Sequence, residues 1–177
     1  MSRYRRPCRP GATVFFTVNL ADRTSDLLVR EIATLRRAVV QTRAARPFEI
    51  DAWVILPNHM HCVWTLPQGD ADYSVRMGAI KGRFSRMVRR SGLTPTPHVQ
   101  NTRGVVGGRV RVGENPDLRV HPRDEVPIWQ KRFWEHHIRD DADYAAHVNY
   151  CWINPVKHGF VDDPAKWPFS SFRRDNP

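Results

Sequence analysis

Two kinds of hydrophobic pattern alternate along the chain, and together they predict short strands separated by amphipathic helices. Residues 11–19 and 48–56 are rich in β-branched and aromatic residues, a composition that favours strands. Between them, apolar residues recur at helical spacing up to Pro47, which predicts a helix. Pro57-Asn58 predicts a turn into a third strand, so the second and third strands are expected to form an antiparallel hairpin.

The second half of the chain repeats these patterns less regularly. Residues 72–90 predict a helix, because Met77, Ile80, Phe84 and Val88 form an apolar stripe along it. Residues 91–126 lack sustained periodicity and predict a long loop. Residues 128–138 restore a strand-like mixture of aromatic and charged side chains.

A last helix is predicted after Asp140 or Asp141, and Pro155 is expected to stop it near Asn154. The resulting order, β-α-β-β-α followed by a late strand and helix, fits an α+β fold with a ferredoxin-like antiparallel sheet and helices on one face. We expect a single domain over residues 1–177, with a basic arm at 1–10 and an aromatic tail at 156–177 that packs back on the body.

Composition changes this picture by indicating the kind of partner. The 177 residues are 41% hydrophobic, enough for one domain with a proper core, and carry a formal net charge of +10. Such a basic chain is typical of proteins with a polyanionic partner. Three scattered cysteines argue against a disulfide framework or a thiolate zinc site. Neither a membrane span nor a secretory signal is visible, so we expect a cytoplasmic protein.

The candidate chemistry starts from a histidine pair on the third strand. His59 and His61 are two residues apart, so their side chains are expected on one face, about 6 to 7 Å apart along the strand. Met60, Cys62 and Trp64 would then point into the core from the other face. Such a pair is compatible with a metal site and also with a hydrogen-bonded structural role, and a metal needs at least a third ligand.

The last helix offers that ligand and a nucleophile. Tyr150 and Asn154 are four residues apart and share a helix face, as does His147 one turn earlier. An Asn154 amide oxygen could complete the metal site while the Tyr150 phenol attacks a metal-bound phosphate. Tyr144 is a rival nucleophile, but it has no amide four residues later.

Several stretches resemble one known family. His59-Met60-His61 is similar to the HUH motif of single-tyrosine transposases, and residues 150–159 (YCWINPVKHG) resemble the tyrosine helix of the subgroup called REP-associated tyrosine transposases. Residues 4–19, 128–134 and 167–171 are also similar to members of that subgroup. The resemblance covers nearly the whole chain except the loop at 91–126, and the order and spacing of the motifs make it specific.

This resemblance implies an HUH-type fold whose divalent metal, Mg²⁺ or Mn²⁺, is held by His59, His61 and Asn154, with Tyr150 as the nucleophile. It further implies a partner: palindromic DNA that folds into hairpins, is cut on a single strand beside them, and becomes linked to the enzyme through its 5′-phosphate. A nucleoid-associated, cytoplasmic monomer is expected on the same ground. The divergent loop leaves open which hairpin is recognised.

Basic side chains outside this site are candidates for contacting DNA phosphates. On the helix at 72–90, four arginines fall beside the apolar stripe, a position suited to lining a groove: Arg76, Arg83, Arg86 and Arg90. The candidates that we carry forward are Arg3, Arg5, Arg6, Arg83, Arg86, Arg90, Lys131 and Arg132. Two alternatives remain open: a hairpin DNA- or RNA-binding regulator without cleavage activity, and a metal-dependent hydrolase of another phosphoester.

Overall fold

The computed structural model describes residues 7–92 and 126–176 and contains one antiparallel sheet with helices on both faces. Its strands and helices follow in chain order: β1 (Thr13–Asn19), α1 (Leu27–Arg30), α2 (Ile32–Ala45), β2 (Glu49–Ile55), β3 (His59–Thr65), α3 (Tyr73–Arg90), β4 (Trp134–His137), α4 (Asp141–Lys157) and α5 (Phe172–Asp175). A 3₁₀ turn covers Pro164–Lys166. The basic arm at 1–6 and most of the predicted loop, residues 93–125, lie outside the described residues.

The sheet has the strand order β2-β3-β1-β4, and each neighbouring pair is antiparallel. With helices connecting β1 to β2 and β3 to β4 on one face, this is the ferredoxin-like arrangement that the sequence predicts. Helix α4 is the exception to helices on one face, because it packs on the opposite side of the sheet. The β2–β3 hairpin is present as predicted, with Ile55 paired to Met60 across the turn. None of the described helices has the length and apolarity that crossing a bilayer requires.

The two faces of the sheet bury different sets of residues. On one face, Phe16, Cys62 and Trp64 pack with the apolar sides of α2 and α3 in the larger core. On the other face, Phe15 and Val63 pack against α4 in a smaller core. The alternation of side chains along a strand thus directs Cys62 into the large core and His61 toward α4.

Helix α4 begins as predicted, because the Asp140 side chain accepts a hydrogen bond from the Asp143 amide. The prediction of its end is wrong, since Pro155 lies inside the helix, which continues to Lys157. A proline removes only its own amide donor, and the His158 amide still donates to the Asn154 carbonyl at 3.1 Å. The extra turn keeps Lys157 and His158 beside the site.

The strand predicted over 128–138 is shorter than expected. Trp129 forms an isolated bridge with Leu20, and regular pairing starts only at Trp134. The tail packs back as predicted: the Trp167 indole donates to the Ile55 carbonyl at 2.9 Å, and the Ser171 amide donates to the Trp53 carbonyl at 2.8 Å. The tail therefore covers the outer edge of β2, whose backbone groups would otherwise be open to pairing with another chain.

Candidate functional site

The histidine pair lies on one face of β3, as the sequence predicts. The rings of His59 and His61 are 5.0 Å apart between centroids and nearly perpendicular, and both side chains are buried. The Nδ1 atom of His59 lies 2.6 Å from the Asn58 amide oxygen, and Nδ1 of His61 lies 2.9 Å from the Thr17 hydroxyl. These contacts orient both rings and leave Nε2 of each as the nitrogen available to a ligand.

Burial keeps both histidines neutral. It lowers the pKa of His59 from 6.5 to about 4, with smaller electrostatic contributions from His158 and Arg23. It lowers the pKa of His61 to about 3 in the same way. Near neutral pH both rings therefore keep a free lone pair, which is the state in which imidazole binds a metal ion.

These shifts predict a loss of stability in mild acid. Between pH 6.5 and about 4, the unfolded chain takes up protons at His59 and His61 that the folded chain does not, so the free energy of unfolding falls as the pH decreases. We expect urea midpoints in the presence of a chelator to fall through this window. The double variant His59→Gln/His61→Gln should show a flatter dependence, and an equally steep one would contradict the assignment.

Helix α4 brings three side chains of one helical face to this pair. Tyr150 packs edge-to-face on His61 with ring centroids 5.0 Å apart, and His158 packs on His59 at 5.2 Å. Asn154 lies between Tyr150 and His158 at four-residue spacing, so it belongs to the same helical face. The predicted nucleophile is therefore brought to the histidine pair across some ninety residues of sequence, and the predicted ligand Asn154 lies on the helical face that contacts this pair.

Asn154 carries the strongest sign of a missing partner. Its side chain is 1% exposed, and its Oδ1 atom accepts no hydrogen bond from any described residue. A buried amide oxygen left in this state costs about 1 to 3 kcal/mol, so such atoms usually bind a water, a ligand or an ion. Two neutral imidazoles and one amide oxygen form a donor set that fits an open divalent-metal site.

Basic side chains lie beside the site, and sequence reasoning did not assign them to it. The Lys157 ammonium lies 4.8 Å from the centre of the Tyr150 ring, and the exposed side chains of His158 and Arg23 lie near His59. The positive charges of Lys157 and Arg23 attract phosphate. Lys157 and His158 lie in the motif that resembles the tyrosine helix, which is the signal that could have identified them.

The rival nucleophile lies elsewhere. The Tyr144 hydroxyl donates to the Asp51 carboxylate of β2 at 3.5 Å. Burial, and after it the charge of Asp51, raises the pKa of the Tyr144 phenol, which opposes formation of the phenolate. Tyr150 has the histidine contact that Tyr144 lacks, so the geometry favours Tyr150.

A second cluster of metal-binding atoms lies beside the site. Atoms of His136, Asp143 and His147 all lie within 4.8 Å of one another. Asp143 already accepts hydrogen bonds from His136 Nε2 at 2.8 Å and from Arg139 Nε at 3.0 Å. Because the Asp143 carboxylate already pairs with Arg139 and contacts both histidines, we describe this cluster as a carboxylate that orients two histidines.

The predicted DNA contacts fall in three places. Arg83, Arg86 and Arg90 lie on α3, which covers the face of the sheet opposite the histidine pair, so the structure does not bring them to the site. Lys131 and Arg132 are exposed and follow Gln130, whose amide donates to Asn19, the residue paired with His59. They therefore lie at the same end of the sheet as His59. The remaining candidates lie outside the described residues: Arg3, Arg5 and Arg6.

The interpretation of Arg76 as a groove-lining residue is wrong. Its side chain is 2% exposed, donates to the Pro47 carbonyl at 2.9 Å, and pairs with the Asp70 carboxylate at 2.5 Å. The Arg76 guanidinium in turn lowers the pKa of Asp70 to about 2. Arg76 therefore ties α3 to the loop after α2 instead of facing DNA.

Comparison with known proteins identifies similar sequences over nearly the whole chain. No protein-family model matches the chain. A REP-associated tyrosine transposase of Escherichia coli K12 is 44% identical over 175 residues, which cover 99% of this chain and 85% of that protein. A Haemophilus influenzae protein given the same family name is 39% identical over 99% of this chain and 88% of its own length.

A solved structure agrees as well. A REP-associated tyrosine transposase bound to a REP hairpin superposes with a TM-score of 0.76 and 44% identity, covering 99% of this chain and 85% of that one. Sequence and fold thus match over nearly the full length. This chain belongs to the family of REP-associated tyrosine transposases.

Proposed function

We propose that this protein cuts and rejoins single-stranded DNA beside hairpins, using Tyr150 as the nucleophile and a divalent cation held by His59, His61 and Asn154. The observation that carries the proposal is the meeting of two distant elements. Tyr150 packs on His61 at 5.0 Å, and Asn154, whose buried amide oxygen accepts no hydrogen bond from any described residue, lies on the same face of α4. The hairpin substrate is supported by the relative that is bound to a REP hairpin and by the net charge of +10.

The cleavage step exchanges one phosphate ester for another. The Tyr150 oxygen forms a bond to phosphorus as its proton is lost to water, the bond from phosphorus to the 3′-oxygen breaks, and that oxygen takes a proton from water. The products are a 5′-phosphotyrosine and a free 3′-OH. Since the ester bond is conserved, attack by a 3′-OH in the reverse direction rejoins a strand without ATP.

Each part of the site has a role in this step. Mg²⁺ or Mn²⁺, when bound, supplies positive charge to the non-bridging phosphate oxygens. The neutral rings of His59 and His61, oriented by Asn58 and Thr17, offer lone pairs in fixed positions. Lys157 holds a positive charge 4.8 Å from the Tyr150 ring, where it attracts the phosphate that the phenol attacks.

The monomeric state and the location in the cell stay expectations from the sequence. All four proposed site residues lie on β3 and α4 of one chain, so the proposal needs no residue from a second copy. We include action on the chromosome, in the cytoplasm at the nucleoid, as part of the proposal.

The proposal is tested by trapping the intermediate. The probe is a hairpin oligonucleotide with single-stranded flanks, built from a palindrome that neighbours the coding region. With Mn²⁺ or Mg²⁺ we expect a protein–DNA adduct that survives denaturing electrophoresis and disappears with chelator. Tight binding that is insensitive to chelator, without adduct, would instead indicate a binding regulator, and turnover without adduct would indicate a phosphoester hydrolase.

A further inference from the structure

A single row of paired residues crosses the sheet from the metal ligands to an exposed tryptophan. His61 pairs with Thr17 of β1, and Thr17 pairs with Trp134 of β4, so all three side chains lie on the same face. Strands are spaced about 4.8 Å apart, which places Trp134 roughly 10 Å from His61. The Trp134 side chain is 56% exposed, although it is a large aromatic residue next to the site.

Between Trp134 and Tyr150 lies a cavity of about 350 Å³. This volume is at the small end of the range for ligand pockets, about 300 to 1,000 Å³. Aromatic side chains form most of its wall, and none of the described residues that line it is a lysine or arginine. The lining consists of Phe15, Thr17, Trp134, Ala146, His147 and Tyr150. Such a surface suits a flat, neutral aromatic group better than a phosphate.

The polar side of the cavity is held in a fixed orientation. The Nδ1 atom of His147 donates to the Asp143 backbone carbonyl at 2.8 Å and lies 3.1 Å from its carboxylate. The His136 ring stacks on His147 with centroids 4.6 Å apart. Nε2 of His147 is therefore the ring nitrogen left for a ligand, so a group between the aromatic walls also has a hydrogen-bonding partner.

We infer that this cavity binds an unpaired nucleobase of a nucleotide next to the scissile phosphate, with Trp134 stacking on its face. The inference rests on the proposed function of the neighbouring site. A scissile phosphate at the Tyr150 hydroxyl, beside the histidine pair, places a base of an adjoining nucleotide toward Trp134, along the row of paired residues. A base offers both the flat surface and the polar edge that the cavity accommodates.

The test measures stacking without cleavage, so it does not depend on catalysis. The probe is the hairpin oligonucleotide with 2-aminopurine placed at one position of its single-stranded flanks at a time, titrated with Tyr150→Phe protein in chelator. We expect strong fluorescence quenching at one flank position. Adding Trp134→Ala should remove that quenching and weaken binding roughly tenfold or more, whereas Trp134→Phe should retain most of both.

Removal of the base provides the matched test. An abasic site at the quenched position should weaken binding to the Trp134 protein and cause little further loss in Trp134→Ala, because both changes remove one interaction. Val75→Ala, an exposed apolar residue on α3, serves as the control and should change nothing. The inference would be overturned if no flank position showed quenching. It would also be overturned if the abasic site weakened binding to Trp134→Ala by the same factor as binding to the Trp134 protein. An adduct missing from the wild-type protein would instead overturn the proposed function and leave this measurement intact.

Discussion

Replacing Tyr150 with phenylalanine is expected to abolish the covalent adduct with hairpin DNA. The substitution removes only the hydroxyl oxygen and keeps the ring that packs on His61 and Phe15. Because no other described phenol contacts the histidine pair, adduct formation should fall by at least about 10⁴-fold, as when the nucleophile of a covalent enzyme is lost. Hairpin binding in chelator should stay close to that of the wild-type protein.

Tyr144→Phe is the matched control for this result. It removes a hydroxyl from the same helix, but from one whose hydrogen bond is to Asp51. We expect full adduct formation and a small loss of stability, measured by denaturing electrophoresis and urea unfolding. If the adduct survived in Tyr150→Phe and vanished in Tyr144→Phe, the role of nucleophile would pass to Tyr144.

The elements of the fold were predictable wherever a single periodicity dominates. The stripe of Met77, Ile80, Phe84 and Val88 determines α3, because a helix has to bury such a stripe and all four residues are buried. The alternation of His61 and Cys62 likewise determines which side of β3 enters the large core. These are local patterns, and the packing of the sheet enforces them.

Predictions failed where an isolated residue was judged without its tertiary partners. Pro155 is tolerated in α4 because helix packing and the later hydrogen bonds continue past it. On a helical wheel, Arg76 lies beside the apolar stripe just as Arg83 and Arg86 do. Its burial is favourable, however, because its guanidinium donates hydrogen bonds to Asp70 and to the Pro47 carbonyl. Sequence periodicity contains no information about such partners.

In the candidate site, too, local features were predictable from the sequence and tertiary contacts were not. Spacing alone indicates that Tyr150 and Asn154 share a helix face and that His59 and His61 share a strand face. It cannot indicate that the two faces meet, since that depends on α4 packing on the side of the sheet opposite α2 and α3. The family resemblance supplied that link at the sequence level, while the position of Trp134 became visible only from the strand register.

Removing the metal ligands is the second change for which we expect a very large effect. His61→Ala or His59→Ala removes one of the three proposed metal ligands. The affinity for Mn²⁺, measured by calorimetry, should therefore fall at least about a hundredfold, which exceeds the usual effect of removing a residue that only hydrogen-bonds to a metal ligand. Adduct formation should be lost with it. Asn154→Ala should behave similarly, whereas Asn154→Asp keeps an oxygen donor and should retain the ion.

Tyr150→Phe separates the loss of the ion from the loss of the nucleophile, because it should bind Mn²⁺ normally while forming no adduct. His136→Ala tests the neighbouring cluster, whose Asp143 carboxylate is already occupied by Arg139 at 3.0 Å. If Mn²⁺ affinity fell in His136→Ala and was unchanged in His59→Ala and His61→Ala, the ion would belong to the His136–Asp143–His147 cluster. The buried Asn154 oxygen, with no partner among the described residues, favours the opposite result.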